Sequence, residues 1–169
     1  MKEMLRILQV EDEEADAELI RRQLARENFE LQHRRVETAE ELQSALKAQA
    51  WDLVICDYCL PRFSGPAAIA IIQKHDVDLP VLVISGTVGE DLAAQTMRLG
   101  AHDYLMKDQL TRLGEAVRRE LREAGLRRDR RSARAAVEQA YRLLDIAARH
   151  NDRQALLEEF TKAVQEISA

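Results

Sequence analysis

Short apolar runs alternate with amphipathic stretches along the first 110 residues, and this alternation restricts the fold more than any other feature of the sequence. Five runs rich in Val, Ile and Leu predict strands, at Leu5–Val10, Phe29–Val36, Leu53–Asp57, Val81–Ser85 and Asp103–Met106. Helical spacing lies between them, at Ala15–Glu27, Ala39–Gln49, Pro66–Lys74 and Glu90–Leu99, and a fifth helix begins near Leu110. Strands that alternate with such helices predict right-handed crossovers, and therefore an α/β fold with a parallel sheet covered on both faces.

Composition limits the size of the protein and its environment. The 169 residues suffice for one α/β domain with an appendage, and they exclude two large domains. No apolar run approaches the roughly 20 residues that cross a bilayer, so we expect the cytoplasm and no membrane partner. Two cysteines three residues apart exclude a disulfide framework.

Charge and glycine content set the end of the chain apart from its body. Residues 1–110 carry 12 Lys and Arg against 20 Asp and Glu, whereas residues 111–169 carry 13 against 10. An acidic body repels nucleic acid, and the basic run at 127–131 is typical of a solvated helix face, so no direct nucleic-acid partner is expected. After residue 100 only Gly114 and Gly125 could interrupt a helix. The tail is therefore predicted to be helical.

The predicted tail carries two sets of apolar residues with coiled-coil spacing, Ala133, Val137, Ala140, Leu144 and Ala147, then Leu157, Phe160, Val164 and Ile167. We call the first set the 133–147 seam. A break is expected near His150–Asp152, and packing of the helix on its own domain is the alternative to self-association. Because the last amphipathic stretch reaches Ala169 without a stop signal, we expect a linker toward an output domain beyond this sequence.

Polar residues follow the predicted strands. Ligands of open parallel sheets bind beyond the carboxyl ends of the strands. The polar residues at these ends are Glu11 and Asp12 after strand one, Asp57 in strand three, Ser85 in strand four and Lys107 after strand five. If the strand order is 2-1-3-4-5, the ends of strands one and three are neighbours, and Glu11, Asp12 and Asp57 share one pocket.

Three carboxylates in one pocket raise one another's pKa unless a cation compensates, which predicts a bound divalent metal ion. Magnesium fits best because it prefers oxygen ligands, and manganese is the alternative. Asp57, at the end of a central strand, is the candidate nucleophile toward a phosphoryl donor, since a carboxylate can form an acyl phosphate. Ser85 would donate a hydrogen bond, and Lys107 would balance the charge of the phosphoryl group.

Four motifs occur in order with informative spacing: Val10-Glu11-Asp12, Asp57-x-x-Leu60-Pro61-x-x-Ser64-Gly65, Pro80-Val81-Leu82-Val83-Ile84-Ser85-Gly86 and Tyr104-Leu105-Met106-Lys107. Over about residues 4–124, the sequence resembles the receiver domains of two-component response regulators. The resemblance implies a flavodoxin-like, doubly wound sheet of five parallel strands in the order 2-1-3-4-5. It also implies a receiver domain at 1–124 and a C-terminal helical extension at 125–169.

The resemblance further implies a role for each matching residue. Asp57 would accept a phosphoryl group from a histidine kinase or a phosphotransfer protein in a magnesium-dependent reaction. The implied metal ligands are Glu11, Asp12, Asp57 and the backbone carbonyl of Cys59, and the implied phosphate-binding and switch residues are Ser85, Gly86, Lys107 and Tyr104. Such a domain assists only its own phosphorylation and dephosphorylation, and is not an enzyme in the usual sense. It would switch a protein interaction surface, with a homodimer through the fourth helix, fifth strand and fifth helix, or through the C-terminal helices.

Three residues depart from the family pattern. Glu11 is one methylene longer than the usual aspartate, which predicts a water between its carboxylate and the metal. Gly86 replaces an alanine and loosens the loop after Ser85. Asp108 replaces a proline, so we expect a trans Lys107–Asp108 peptide and an altered loop into the fifth helix.

Other functions remain open from the sequence. A haloacid-dehalogenase-type phosphohydrolase also uses an aspartate after a strand, but it needs a second carboxylate two residues later, where Cys59 stands. A degenerate receiver that acts only as an interaction module is disfavoured, because Asp57 and Lys107 are both present. Cys56 and Cys59 match the spacing of a redox pair, yet Cys56 is expected to be buried within a strand.

Overall fold

The computed structural model describes residues 3–61, 63–86 and 90–150, with residues 158, 161, 162 and 165 beyond them. The elements are β1 (Glu3–Val10), α1 (Glu14–Arg26), β2 (Phe29–Val36), α2 (Ala39–Ala48), β3 (Leu53–Asp57), α3 (Gly65–His75), β4 (Val81–Ser85), α4 (Glu90–Arg98), β5 (Asp103–Met106), a 3₁₀ helix (Lys107–Arg112) and α5 (Leu113–His150). The five predicted strands and the four helices between them are confirmed, with small differences at their ends.

The five strands form one parallel sheet in the order β2-β1-β3-β4-β5, which confirms the predicted flavodoxin-like topology. The register brings the carboxyl ends of the central strands to one edge. Val10 pairs with Cys56, and Asp57 pairs with Ile84. The residues that follow β1 therefore lie level with the last residue of β3.

Alternate strand residues face opposite layers of helices, as the two-residue period of a strand requires. On one side the core consists of Leu5, Ile7, Leu53, Ile55, Leu82, Ile84 and Leu105 with Ile20 and Leu24 of α1 and Leu113 and Val117 of α5. On the other side it consists of Leu8, Val10, Val54, Cys56, Val81 and Val83 with Leu42 and Leu46 of α2 and Ile69 and Ile72 of α3. Both sheet faces are thus covered, as the nearly continuous apolar strands predict.

Helices α2 and α3 begin at residues suited to capping. The Thr38 side chain accepts a hydrogen bond from Glu41 N at 3.2 Å, and the Glu41 carboxylate accepts one from Glu37 N at 2.8 Å. These two contacts satisfy free amides at the start of α2. Ser64 accepts from Ala67 N in the same way at 3.3 Å at the start of α3.

The segment after β5 departs from the expected regular helix. It begins as a 3₁₀ helix at Lys107, and Gln109 has non-helical angles (φ −114°, ψ 27°) before α5 starts at Leu113. Among the described residues no peptide bond is cis, so the Lys107–Asp108 peptide is trans, as predicted. The expected alteration of this loop is consistent with the kinked 3₁₀ segment.

The chain divides into two compact units, Met1–Ala124 and Gly125–Ala169. In the second unit, Val137 and Leu144 of the 133–147 seam are 54% and 63% exposed. The break predicted after His150 and the seam predicted over residues 157–167 lie outside the described residues. Across the part of the chain that is described, no helix has the length and apolar character to span a membrane.

Candidate functional site

Glu11 and Asp57 lie on the same side of the sheet because they continue the alternation of their strands. Glu11 follows the face of Ile7 in β1, and Asp57 follows the face of Ile55 in β3, both of which pack toward α1 and α5. Ligand oxygens of Glu11, Asp12 and Asp57 lie within 4.8 Å of one another. The structure therefore brings together the three carboxylates that the sequence predicted as neighbours.

The carboxyl group of Glu11 is enclosed by the protein. Its Oε1 accepts a hydrogen bond from Glu13 N at 3.2 Å, while Oε2 is buried without a hydrogen-bond partner among the described residues. Burial, together with the nearby charge of Asp57, raises the pKa of Glu11 to about 7. A buried oxygen without a donor, next to two further carboxylates, fits a hard divalent cation.

Lys107 supplies the positive charge of the site. Its Nζ lies 2.6 Å from Asp57 Oδ2 and 3.6 Å from Glu11 Oε2, and it also binds Asp16 Oδ2. Burial lowers the pKa of Lys107, but the hydrogen bonds to Asp16 and Asp57 and the surrounding negative charges outweigh this effect and raise it. The side chain therefore carries its charge throughout the physiological pH range.

The two oxygens of Asp57 have different partners. Oδ2 binds Lys107, whereas Oδ1 accepts a hydrogen bond from the backbone amide of Cys59 at 2.9 Å. The side chain is only 6% exposed. These contacts fix the carboxylate of Asp57 in one orientation at the mouth of the site.

The predicted switch residues Ser85 and Tyr104 lie on the neighbouring strands β4 and β5. Ser85 is fully buried at the end of β4, and Tyr104 packs against the core cluster that contains Val81 and Val83. The Tyr104 hydroxyl donates to the Met106 sulfur at 3.6 Å. The Tyr104 side chain therefore belongs to the layer opposite the carboxylates.

Gly86 is the last described residue of the loop after β4. A Cβ at this position would lie 3.9 Å from Lys107 Cδ, which is ordinary van der Waals contact. The space would thus accept the alanine that the family pattern places here, and the departure at Gly86 changes the conformational freedom of the backbone rather than the shape of the site.

Sequence reasoning missed two residues that contact this site. Arg35 Nη1 donates to the backbone carbonyls of Glu11 at 3.1 Å and Asp12 at 3.0 Å. Asp16, in the first turn of α1, binds Lys107. For Arg35 the available signal was a charged residue one position before the end of an edge strand, and for Asp16 it was an acidic residue that continues the run Glu11–Glu14 after Val10.

The two cysteines do not form a redox pair. Cys56 is buried, Cys59 is exposed and both are free. Burial, with the charges of Asp57 and Glu11, raises the pKa of the Cys56 thiol well above its ordinary value. A thiol in that state is a poor nucleophile, which agrees with the interpretation of Cys56 as a core residue.

Comparison with known proteins identifies the family to which these features correspond. The family model described as response regulator receiver domain matches residues 7–118. The C4-dicarboxylate transport transcriptional regulatory protein DctD of Pseudomonas aeruginosa is 32% identical over 126 residues, which cover 72% of this chain and 27% of DctD. The cell cycle transcriptional regulator CtrA of Caulobacter vibrioides is 28% identical over 120 residues, which cover 68% of this chain and 51% of CtrA.

A solved structure is similar over the same region. The structure of NtrX from Brucella abortus has a TM-score of 0.63 and 30% sequence identity, and the match covers 76% of this chain and 29% of that chain. The chain spans about half, or less, of the length of the curated relatives that it matches.

Proposed function

This chain belongs to the family of response regulator receiver domains, which have a phosphoacceptor signalling role, and on that premise we propose that Asp57 is its phosphoacceptor. The observation that carries the proposal is the contact between Asp57 Oδ2 and Lys107 Nζ at 2.6 Å, at the end of a central strand. An ionised carboxylate held by a fixed cation is a nucleophile whose phosphorylated form keeps a charge partner.

The proposed step is a direct displacement at phosphorus. One carboxylate oxygen of Asp57 attacks the phosphorus atom, and a new P–O bond forms while the bond between phosphorus and the donor atom breaks. The donor leaves with the electron pair, as a histidine nitrogen of a kinase or phosphotransfer protein, or as acetate from acetyl phosphate. Lys107 faces the phosphoryl oxygens, where negative charge accumulates.

The proposed metal is Mg²⁺, with Mn²⁺ as the alternative. Its ligands would be Glu11, Asp12, Asp57 and the backbone carbonyl of Cys59. The buried Oε2 of Glu11 supports this assignment, because it accepts no hydrogen bond from the described residues and lies 3.6 Å from Lys107 Nζ. When bound, the ion would neutralise charge on the phosphoryl group. Because Glu11 is one methylene longer than aspartate, we still predict that a water lies between its carboxylate and the metal.

We assign signal output to Ser85, Gly86 and Tyr104. A phosphoryl group on Asp57 would attract the Ser85 hydroxyl, and Tyr104, which lies on the neighbouring strand β5, would change its side-chain conformation in response. The surface that changes is formed by α4, β5 and the first turns of α5. A partner, or a second copy of the chain, would recognise that surface.

The remaining assignments rest on the same premise. The receiver domain corresponds to residues 1–124 and the helical extension to residues 125–169, which would join it to an output domain. The partners are a histidine kinase or a phosphotransfer protein, and the compartment is the cytoplasm. The domain assists only its own phosphorylation and dephosphorylation.

Acetyl phosphate tests the proposal directly. With Mg²⁺ present, the intact mass of the protein should rise by one phosphoryl group, and the Asp57→Asn variant should stay unlabelled because its amide is not a nucleophile. Chelation of Mg²⁺ should abolish labelling of the wild type. Equal labelling of the wild type and Asp57→Asn would contradict the assignment of Asp57.

A further inference from the structure

Lys107 has a partner that the phosphorylation chemistry does not require. Two carboxylates bind its Nζ directly, Asp57 in the sheet and Asp16 in α1. Asp57 is 6% exposed and Asp16 is 36% exposed, so Asp16 contacts the ammonium group from the more open side of the site. Asp16 is outside the cluster of carboxylates that could hold a metal ion.

We propose that Asp16 is a positioning residue that competes with the phosphoryl group for Lys107 and thereby weakens binding of the phosphoryl group at Asp57. The inference rests on the proposed function, since it assumes that Lys107 pairs with the phosphoryl group. Asp16 acts through Lys107 and takes no part in bond formation.

The competition has two physical sources. An ammonium group has three protons; Asp16 and Asp57 accept hydrogen bonds from two of them, and Glu11 Oε2 lies 3.6 Å from the same nitrogen. A phosphoryl group therefore finds at most one proton without a carboxylate partner, and any further strong, charge-assisted hydrogen bond requires it to share or displace the Asp16 contact. In addition, the carboxylates of Asp16 and Asp57 contact the same nitrogen. The negative charge of Asp16 therefore lies close enough to repel an anionic group attached to Asp57.

The charge of Asp16 has the opposite effect on a cation. A metal ion held by Glu11, Asp12 and Asp57 is attracted by a fourth carboxylate nearby. Removal of the charge should therefore weaken Mg²⁺ binding and strengthen binding of a phosphoryl analogue. A residue with a purely structural role would weaken both ligands together, and this difference in sign distinguishes the two roles.

The matched control is Glu14, which lies in the same first turn of α1. Among the described residues, Glu14 makes no hydrogen bond or ion pair with Lys107. Glu14→Gln removes the same charge from the same helix end without removing a Lys107 contact. It measures the contribution of long-range charge and of the interaction with the helix dipole.

The experiment uses the full chain with beryllium fluoride as the phosphoryl analogue. Fluorine NMR measures the bound analogue at a Mg²⁺ concentration that saturates each variant, and calorimetry measures Mg²⁺ affinity without beryllium fluoride. We expect Asp16→Asn to bind the analogue about fivefold to tenfold more tightly and Mg²⁺ about twofold to fivefold more weakly, because the ion pair is partly exposed. Glu14→Gln should stay within about twofold of the wild type for the analogue, and Asp16→Glu, which keeps the charge, should not gain affinity.

Each outcome decides a separate point. If the wild type binds beryllium fluoride and Asp16→Asn binds it equally or more weakly, the inference about Asp16 is wrong while the proposed function stands. If the wild type does not bind the analogue with Mg²⁺ present, the proposed function itself fails, and the inference fails with it. Asp16→Ala provides a second variant at this partly exposed position, and circular dichroism of each variant verifies that it folds.

Discussion

At the scale of single residues, Glu11 makes the stability of the metal-free protein depend on pH. Its pKa rises from an ordinary value of 4.5 to about 7 because the carboxyl group is buried beside Asp57. Between these pH values the folded state holds a proton that the unfolded state has lost. The free energy of unfolding must therefore fall as the pH rises through this interval.

The Glu11→Gln variant tests this dependence. Glutamine does not titrate, so the stability of the variant relative to the wild type should rise between about pH 4 and about pH 8, by no more than about 1.4 kcal/mol per pH unit. Urea unfolding in the presence of a chelator measures the difference. Added Mg²⁺ should stabilise the wild type at pH 8 more than it stabilises the variant. A difference between the two proteins that is the same at both pH values would refute the role of Glu11.

Individual residues of the site were predictable only where the chain pattern fixes their place. Asp57 and Glu11 stand at strand ends, and an alternating strand defines both the edge and the face that its last residues occupy. The contacts of Arg35 depend instead on the register of β2 against β1, where Arg35 pairs with Gln9. The contact of Asp16 depends on the rotation of α1 over the sheet. Neither the strand register nor the helix rotation can be read from a local sequence pattern.

At the scale of elements, α3 supports the loop that follows Asp57. A Cβ on Gly65, the first residue of α3, would lie 2.9 Å from Tyr58 Cα and 3.0 Å from the Tyr58 carbonyl oxygen. The Gly65 amide also donates to that oxygen at 3.1 Å. Because these neighbours are backbone atoms, they cannot rotate away as the end of a flexible side chain could. Close packing against Tyr58, the residue after Asp57, therefore requires glycine at position 65.

We expect Gly65→Ala to destabilise the protein by about 1–3 kcal/mol, as overpacking in a close-packed region does. The shift of the loop should also lower labelling of Asp57 by acetyl phosphate, because the Cys59 amide that holds Asp57 lies in the same loop. Gly125→Ala is the matched control, since a Cβ there meets nothing within 4 Å and should stabilise the helix by about 0.5–1 kcal/mol. Equal urea midpoints for Gly65→Ala and the wild type would exclude the packing argument.

Most helices and strands were predictable from the sequence, and the exception is the segment after β5. Strands and helices with strong periodicity formed where the pattern placed them, and capping residues such as Thr38 and Ser64 mark their starts. After β5 the pattern predicted a helix near Leu110, whereas α5 starts at Leu113 after a 3₁₀ turn. Leu110 lies within the 3₁₀ segment and is buried in the core. The sequence pattern therefore indicated a helical segment here but did not distinguish a 3₁₀ turn from an α-helix.

At the scale of the whole molecule, the carboxylates of the site and the proposed output residue Tyr104 lie in different layers. Glu11 and Asp57 continue the sheet face that packs on α1 and α5, while Tyr104 packs in the opposite layer. A phosphoryl group adds about one to two negative charges on one side. It changes a distant surface only by favouring one of two arrangements of the residues between. The signal would therefore pass between the sheet faces through β4 and β5, where Ser85 pairs with Met106.

The 133–147 seam provides the remaining prediction, that the chain self-associates weakly through its helical extension. Val137 and Leu144 are more than half exposed, and the spacing of the seam is typical of coiled coils. Three of its five positions are alanine, which limits the apolar area that a dimer can bury. A weak dimer is a suitable target for regulation, because a small change at the α4, β5 and α5 surface can shift its population.

Light scattering measures this association. The average mass of the full chain should rise with concentration, and it should rise further with Mg²⁺ and beryllium fluoride. Val137→Glu should keep the protein monomeric, since it places two like charges against each other in the dimer. Ala135→Glu, an exposed position two residues away and off the seam, adds the same charge and should leave association unchanged. If all three proteins stay monomeric at high concentration in both states, the extension serves as a linker, and recognition of the phosphorylated state must come from a partner at the receiver surface.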